Sequence, residues 1–177
     1  MRSEDIIAMI RRDRHDLMND IQLLEGYAAM DKVSHVQQKL GEMVSHYQEE
    51  RKLLNLGAPD FALWLLRCQS IHNHIRISYV IHDHISERIQ SIDQLLLQIS
   101  EQVVEAIRQN GTEMELYKVI LEIGDVDDML EMIWSIHGPL EDIETFLKMH
   151  INEAQKQWMV DRKTDRQLLC KLRIPYE

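Results

Sequence analysis

The amino-acid sequence predicts an α+β protein: a helical hairpin at the N-terminus, followed by an α/β sandwich. Three observations carry this reading. Residues 3–54 repeat apolar side chains at spacings of three, four and seven, with a break at Asp31-Lys32 and a gap at Glu50-Arg51. Gly57 and Pro59 then punctuate the chain. Beyond them, short β-branched runs such as Ile75–Ile81 alternate with longer helical repeats such as Ser91–Arg108.

The first helix is expected to start near Ser3, an N-cap with Glu4 and Asp5 in the favourable first turn, and to run to about Met30. Its apolar stripe is Ile10, Leu17, Ile21, Leu24 and Ala28. Asp31-Lys32 is a tight connection, and the second helix follows with Val33, Val36, Leu40, Met43, Tyr47 and Leu54. Two helices joined so briefly must lie antiparallel. One hairpin has too little core to stand alone, so the expectation is a homodimer that closes a four-helix bundle. Gly57 suits a left-handed C-cap, and Pro59 disfavours helix at Ala58. The domain boundary is therefore placed after Ala58: residues 1–58 form the dimerisation hairpin and 59–177 the sandwich.

Within the second domain, the apolar stretch Asp60–Gln69 reads as a buried helix and Ile75–Ile81 as a strand. Ser91–Arg108 is a helix opened by a Ser91/Gln94 capping box, with Ile92, Leu95, Leu96, Ile99, Val103 and Ile107 in phase. After the turn at Asn110-Gly111, Leu116–Ile123 and Met129–Ile136 read as antiparallel strands around an acidic turn, Gly124–Asp128. Leu140–Ile151 is a helix, and Gln157–Val160 with Gln167–Ile174 make a closing hairpin around Arg162–Asp165. This order stacks helices on one face of a sheet.

Composition narrows the function. Hydrophobic residues make up 45% and charged residues 28%, as in globular chains. A net charge of -10 argues against nucleic acid as a partner, since phosphate neutralisation needs surplus Lys and Arg. Cys68 and Cys170 form no C-x-x-C pair, which fits a reducing compartment. The acidic start, Met1-Arg2-Ser3-Glu4-Asp5, is unlike a signal peptide. No run approaches the roughly 18 apolar residues of a membrane span. A cytoplasmic location with no membrane contact is expected.

The candidate site lies in the first helix. His15 is off the apolar stripe, Asn19 follows four residues later on the same flank, and Arg14 and Asp16 bracket the imidazole. An exposed neutral imidazole is a nucleophile near pH 7. The run Arg14-His15-Asp16-Leu17-Met18-Asn19, continuing through Gln22-Leu23, resembles the phosphoacceptor helix of the sporulation initiation phosphotransferase B family. Its members are histidine phosphotransferases of the endospore phosphorelay. Glu49–Pro59 resembles the end of that family's second helix and the exit from its hairpin. The resemblance implies that His15 takes a phosphoryl group from a response-regulator aspartate and hands it to a second regulator. Arg14 would offset phosphoryl charge, Asp16 would orient the ring or fix its tautomer, and Asn19 would hydrogen-bond on the same flank. Met18, Gln22 and Leu23 would form the docking surface. The receiver would bring its own Mg²⁺, so no cofactor is expected of this chain. Arg11, Arg12 and Arg14 would steer the receiver electrostatically.

The second domain resembles the ATP-binding domain of sensor histidine kinases in its order of elements, but in degenerate form. A triphosphate site needs a glycine-rich loop. After Gly57 only Gly111, Gly124 and Gly138 remain, and no G-x-G occurs. Glu105 stands where such a kinase would place its metal-binding asparagine, and Ile136-His137-Gly138-Pro139 lacks a phosphate-turn pattern. ATP binding is therefore not expected. His72/His74 and His82/His84, with His137 and His150, could supply metal ligands, but no complete set is visible and no metal site is expected. The ten Met residues suit adaptable packing. Two other readings compete: a non-catalytic dimeric scaffold or regulator of two-component signalling, and an ATP-dependent sensor kinase.

Overall fold

The first long repeat forms α1 (Ser3–Ala29) and the second forms α2 (Val33–Leu54). Asp31 takes the left-handed conformation, with φ +53°, and the Lys32 N–H donates back to the Tyr27 carbonyl at 3.0 Å. That closes the first helix and reverses the chain. The computed structural model describes residues 3–71, 74–112, 114–139, 143, 147 and 157–176. They fall into two compact units, Met1–Arg51 and Lys52–Glu177. Among the described residues no helix is long and apolar enough to cross a membrane.

In the first unit, Leu17, Asp20, Leu24 and Tyr27 of α1 and Val36, Lys39 and Met43 of α2 are half-buried. The Lys39 ammonium meets the Asp20 carboxylate at 2.7 Å, and the rings of Tyr27 and His35 lie 5.2 Å apart. The stripes expected from sequence are thus only partly the buried ones. Ile10, Ile21 and Ala28 are exposed, as are Val33, Leu40, Tyr47 and Leu54. The reason is geometric. At about 100° per residue, Ile10 and Ile21 lie roughly 80° around the helix from the half-buried row. A repeat of threes and fours is wide enough for two faces, and the hairpin covers one.

In the second unit, the last turn of α2 buries Leu53, and Gly57 follows with φ +84°. Helix α3 (Pro59–Ile71) begins on proline, which lacks the N–H that would be unpaired there. Its N-terminus is capped from elsewhere: the buried Asp93 carboxylate accepts the N–H groups of Asp60 and Phe61 at 3.0 and 2.9 Å. This overturns the expected capping box. Ser91 instead donates to the Arg88 carbonyl at 2.8 Å, and Gln94 donates to Asp60. The helix beginning at Ser91 is split into a 3₁₀ segment, Glu87–Ile92, and α4 (Asp93–Asn110). Asp93 is recruited to α3, so the start of α4 is set by tertiary contact and not by its own cap.

The strands are β1 (Ile75–Ile81), β2 (Tyr117–Val126), β3 (Met129–His137), β4 (Gln157–Thr164) and β5 (Gln167–Pro175), in spatial order β1-β2-β3-β5-β4. β1 and β2 are parallel and joined through α4, while the other pairs are antiparallel. The expected five-residue acidic turn contracts to Asp127-Asp128, both at positive φ, because this two-residue turn matches strand twist. Arg88 ties down Asp128, and Tyr176 ties down Asp125. The β4–β5 turn is likewise Asp165-Arg166, shorter than expected. Of the expected helix Leu140–Ile151, Ile143 and Leu147 are helical and buried, and the remainder lies outside the described residues.

One sheet face carries Ile77, Val119, Leu121, Trp134 and Leu172 into a core shared with Phe61 and Leu65 of α3 and Leu96, Ile99 and Val103 of α4. Burial pushes the Cys68 thiol up to about 12. Gly138 is required at its position: a Cβ there would lie 2.4 Å from the buried Tyr117 ring. Its N–H already donates to the Arg166 carbonyl at 3.0 Å.

On the other face, the Glu131 carboxylate receives Lys171 at 2.7 Å and Arg173 at 2.8 Å. Burial alone would raise its pKa, but the hydrogen bonds and charges of Lys171 and Arg173 outweigh that and hold it below the ordinary 4.5. A depressed carboxylate contributes stability above its unfolded pKa and loses it as pH falls through the folded one. Glu131→Gln is expected to cost about 1–2 kcal/mol near pH 7. The deficit should shrink as pH falls below about 4, and urea unfolding at both pH values measures it.

Candidate functional site

His15 occupies the polar side of α1, turned away from both the half-buried row and the exposed apolar stripe. Its side chain is 73% exposed and that of Asp16 68%. The ring is not loose. Nδ1 lies 3.2 Å from Asp16 Oδ1 and 3.1 Å from the Asn19 side-chain nitrogen. Nε2 has no partner among the described residues and faces solvent. The two Nδ1 contacts are chemically exclusive. A protonated Nδ1 donates to Asp16 and leaves the Nε2 lone pair outward; an unprotonated Nδ1 accepts from Asn19 and puts the proton on Nε2. Only the first arrangement presents a nucleophile.

The structure brings His15, Asp16 and Asn19 into one group and leaves Arg14 outside it. Consecutive helical residues diverge by about 100°. Arg14 points toward the flank that carries Ile10, Met18 and Ile21, with no ion-pair partner among the described residues. Met18, Gln22 and Leu23 are exposed at three, seven and eight residues from His15, so with Asn19 they extend the displayed surface along the helix.

Among the described residues no group of His, Cys, Asp and Glu is arranged to hold a metal ion. His82 pairs with Glu122 at 3.8 Å, and His84 sits at a positive φ. His72 and His150 lie outside the described residues. Glu105 is engaged by Arg108 and Gln109. Two features escaped the sequence reading: the exposed apolar stripe beside the His15 face, and a row of Arg76, Lys118 and His137 across three strands. The first needs the packing of the hairpin and the second needs the strand register.

Comparison with known proteins places this geometry. The family model described as the SpoOB-type sensor kinase alpha-helical domain matches residues 1–56, the segment that holds His15 and both hairpin helices. Sporulation initiation phosphotransferase B of Bacillus subtilis (strain 168) is 25% identical over 146 residues, covering 81% of this chain and 76% of that protein. The chain is thus similar to sporulation initiation phosphotransferase B in sequence, and its helical segment to the SpoOB-type helical domain. Similar solved structures include the catalytic domain of the histidine kinase ThkA, at TM-score 0.42 and 16% identity over 70% of this chain and 92% of that one. A structure titled as a bacterial phosphotransferase gives TM-score 0.39 and 11% identity over 97% of each chain.

The Nδ1 geometry has a direct spectroscopic consequence. In the neutral ring, ¹⁵N shifts should show His15 protonated at Nδ1. Asp16→Ala, which leaves only the Asn19 donor at that nitrogen, should move the proton to Nε2. An unchanged tautomer in Asp16→Ala would remove Asp16 from this role.

Proposed function

We propose that the protein is a histidine phosphotransferase of a bacterial phosphorelay, and that His15 is the residue phosphorylated. The observation that carries this reading is the exposed His15 imidazole, held at Nδ1 by Asp16 with Nε2 outward, on a helix that matches the family's helical domain. The relative in Bacillus subtilis is named for the same activity.

The chemistry asks little of the chain. The Nε2 lone pair attacks phosphorus in the aspartyl phosphate of a response-regulator receiver. An N–P bond forms, the acyl P–O bond breaks, and the aspartate leaves as carboxylate. The proton on Nδ1 stays in place, and Asp16 offsets the positive charge that develops on the ring. Transfer to a second receiver runs the same step in reverse. The receiver supplies Mg²⁺ and its own cation for the metaphosphate-like transition state, so the chain acts by position and needs no ATP. Met18, Asn19, Gln22 and Leu23 form the docking surface, and Arg11, Arg12 and Arg14 speed encounter with acidic receivers.

The same reading makes the protein a homodimer. Ile10 and Ile21 of α1 and Leu40, Val44 and Tyr47 of α2 are exposed, and two hairpins that join these stripes form a four-helix bundle with both His15 faces outward. A charge at the centre of the stripe, Leu40→Asp, should give monomers by analytical ultracentrifugation, while Gln22→Asp on the His15 flank should not.

Transfer itself is tested with a phosphorylated receiver as donor and ATP alone as control. An acid-labile, base-stable label should appear on the native chain from the receiver only, and His15→Gln should abolish it. Asp16→Asn should slow transfer at least about tenfold, since it withdraws the group that fixes the tautomer. Label from ATP alone would make the protein a kinase. No label from any of several receivers would leave a scaffold.

A further inference from the structure

The sheet face that carries Glu131 is open, and its two ends differ in charge. Near the β2–β3 turn, His82, Asp83, Glu122, Asp125 and Glu131 border a depression of about 260 Å³. At the other end, Arg76, Ser78, Lys118, Ile120 and His137 line a depression of about 430 Å³ with no carboxylate among its lining residues. We propose that this second depression binds a small organic phosphate, with the phosphate over the cationic row and an apolar body against Ile120.

The register builds the row. Arg76 pairs with Lys118 across β1 and β2, and Lys118 pairs with His137 across β2 and β3. All three side chains project to the same face, because Ile77, Val119 and Ile136 between them are buried. Strands lie about 4.8 Å apart, so three basic groups stand abreast within roughly 10 Å. Adjacent basic residues in cross-strand positions destabilise a sheet, and a bound anion relieves that. Lys118 and His137 have no ion-pair partner among the described residues, in a chain whose net charge is -10.

The lining chemistry fits a phosphomonoester in particular. The Lys118 ammonium offers a compact charge and the His137 imidazole an N–H, with the Arg76 guanidinium beside them adding to the positive field. One register row further in, Ser78 donates only a long 3.5 Å hydrogen bond to the Val119 carbonyl, so its oxygen can still accept or turn. Beside it Ile120 is 38% exposed, which supplies an apolar wall. The volume falls within the range of small-molecule sites, about 300–1,000 Å³, and is too small for a folded partner to enter. The site lies on the second unit and uses none of the His15 group, so its fate is independent of the phosphotransfer reading.

The test is binding of phenyl phosphate to the full-length protein at constant ionic strength, followed by amide shifts in two-dimensional NMR. Saturable shifts should centre on residues 76–78, 118–120 and 135–137. Lys118→Gln should weaken binding by about tenfold or more while Lys118→Arg retains it, and neither variant should melt below the native protein, Lys118→Gln melting slightly higher. Phenol, which lacks the phosphate, should cause no such shifts. Equal affinity in Lys118→Gln, shifts scattered over other basic surfaces, or no saturation at all would each overturn the site. Tighter binding of an oligoglutamate peptide than of phenyl phosphate would overturn the small-ligand assignment in favour of an acidic polypeptide.

Discussion

Two packed helices share one interface, whereas each helix of this hairpin carries apolar residues on two adjacent flanks. One flank, with Leu17 and Leu24 facing Val36 and Met43, is half-buried within the hairpin. The other, with Ile10, Ile21, Leu40 and Val44, remains in water. Exposed aliphatic side chains forgo about 1.5–3 kcal/mol each relative to full burial, so the exposed flank is a standing cost to this unit. It also decides where chemistry can occur. With two flanks of α1 apolar, the third is left for polar display, and His15, Asn19 and Gln22 occupy it. The phosphoacceptor role proposed for His15 therefore follows from the same division of the helix surface as the proposed dimer.

The second unit solves its burial problem internally. α3 and α4 cover one face of the five-stranded sheet, and the alternation of β2 and β5 sends every second residue into that core. Asp93 links the layers: its carboxylate satisfies the first N–H groups of α3 from the first turn of α4. The opposite face is free of this demand, so charge can be distributed on it. Carboxylates gather toward the β2–β3 turn and basic groups toward the far end of the same strands. Glu131, at the acidic end, is engaged there by Lys171 and Arg173.

The sequence was informative wherever a local rule governs the outcome. The hairpin, the break at Gly57-Pro59 and the strand Ile75–Ile81 follow from periodicity and backbone preference, and they stand where the sequence put them. It misled where a distant residue intervenes. Ser91 and Gln94 have the spacing of a capping box, yet Asp60 takes Gln94 and α3 takes Asp93. The acidic segment Gly124–Asp128 looks like a five-residue loop, yet two aspartates at positive φ suffice to turn the chain. Periodicity could not say which half of each helical stripe would be covered. The flank of His15 could be read because Asn19 lies one turn away. The Arg76–Lys118–His137 row could not, since its members are 42 and 19 positions apart and meet only through the strand register.

Asp16 and Asn19 compete for one ring nitrogen, and their chemistry would separate the stages of the proposed transfer. A neutral His15 can take either contact at Nδ1. In the proposed transfer, the imidazolium formed when phosphorus bonds to Nε2 would carry its proton at Nδ1 and donate there, and while it does the amide nitrogen of Asn19 would not be a compatible partner. Asp16 then faces a ring of greater positive charge, and the bond between them strengthens. Asn19 must turn its carbonyl toward the ring or release it. Asp16 would thus favour both the reactive neutral tautomer and the charged ring formed on transfer, while Asn19 stabilises the alternative tautomer. Both contacts are within one turn of a single rigid helix, so the exchange requires rotation of an amide and no movement of the backbone.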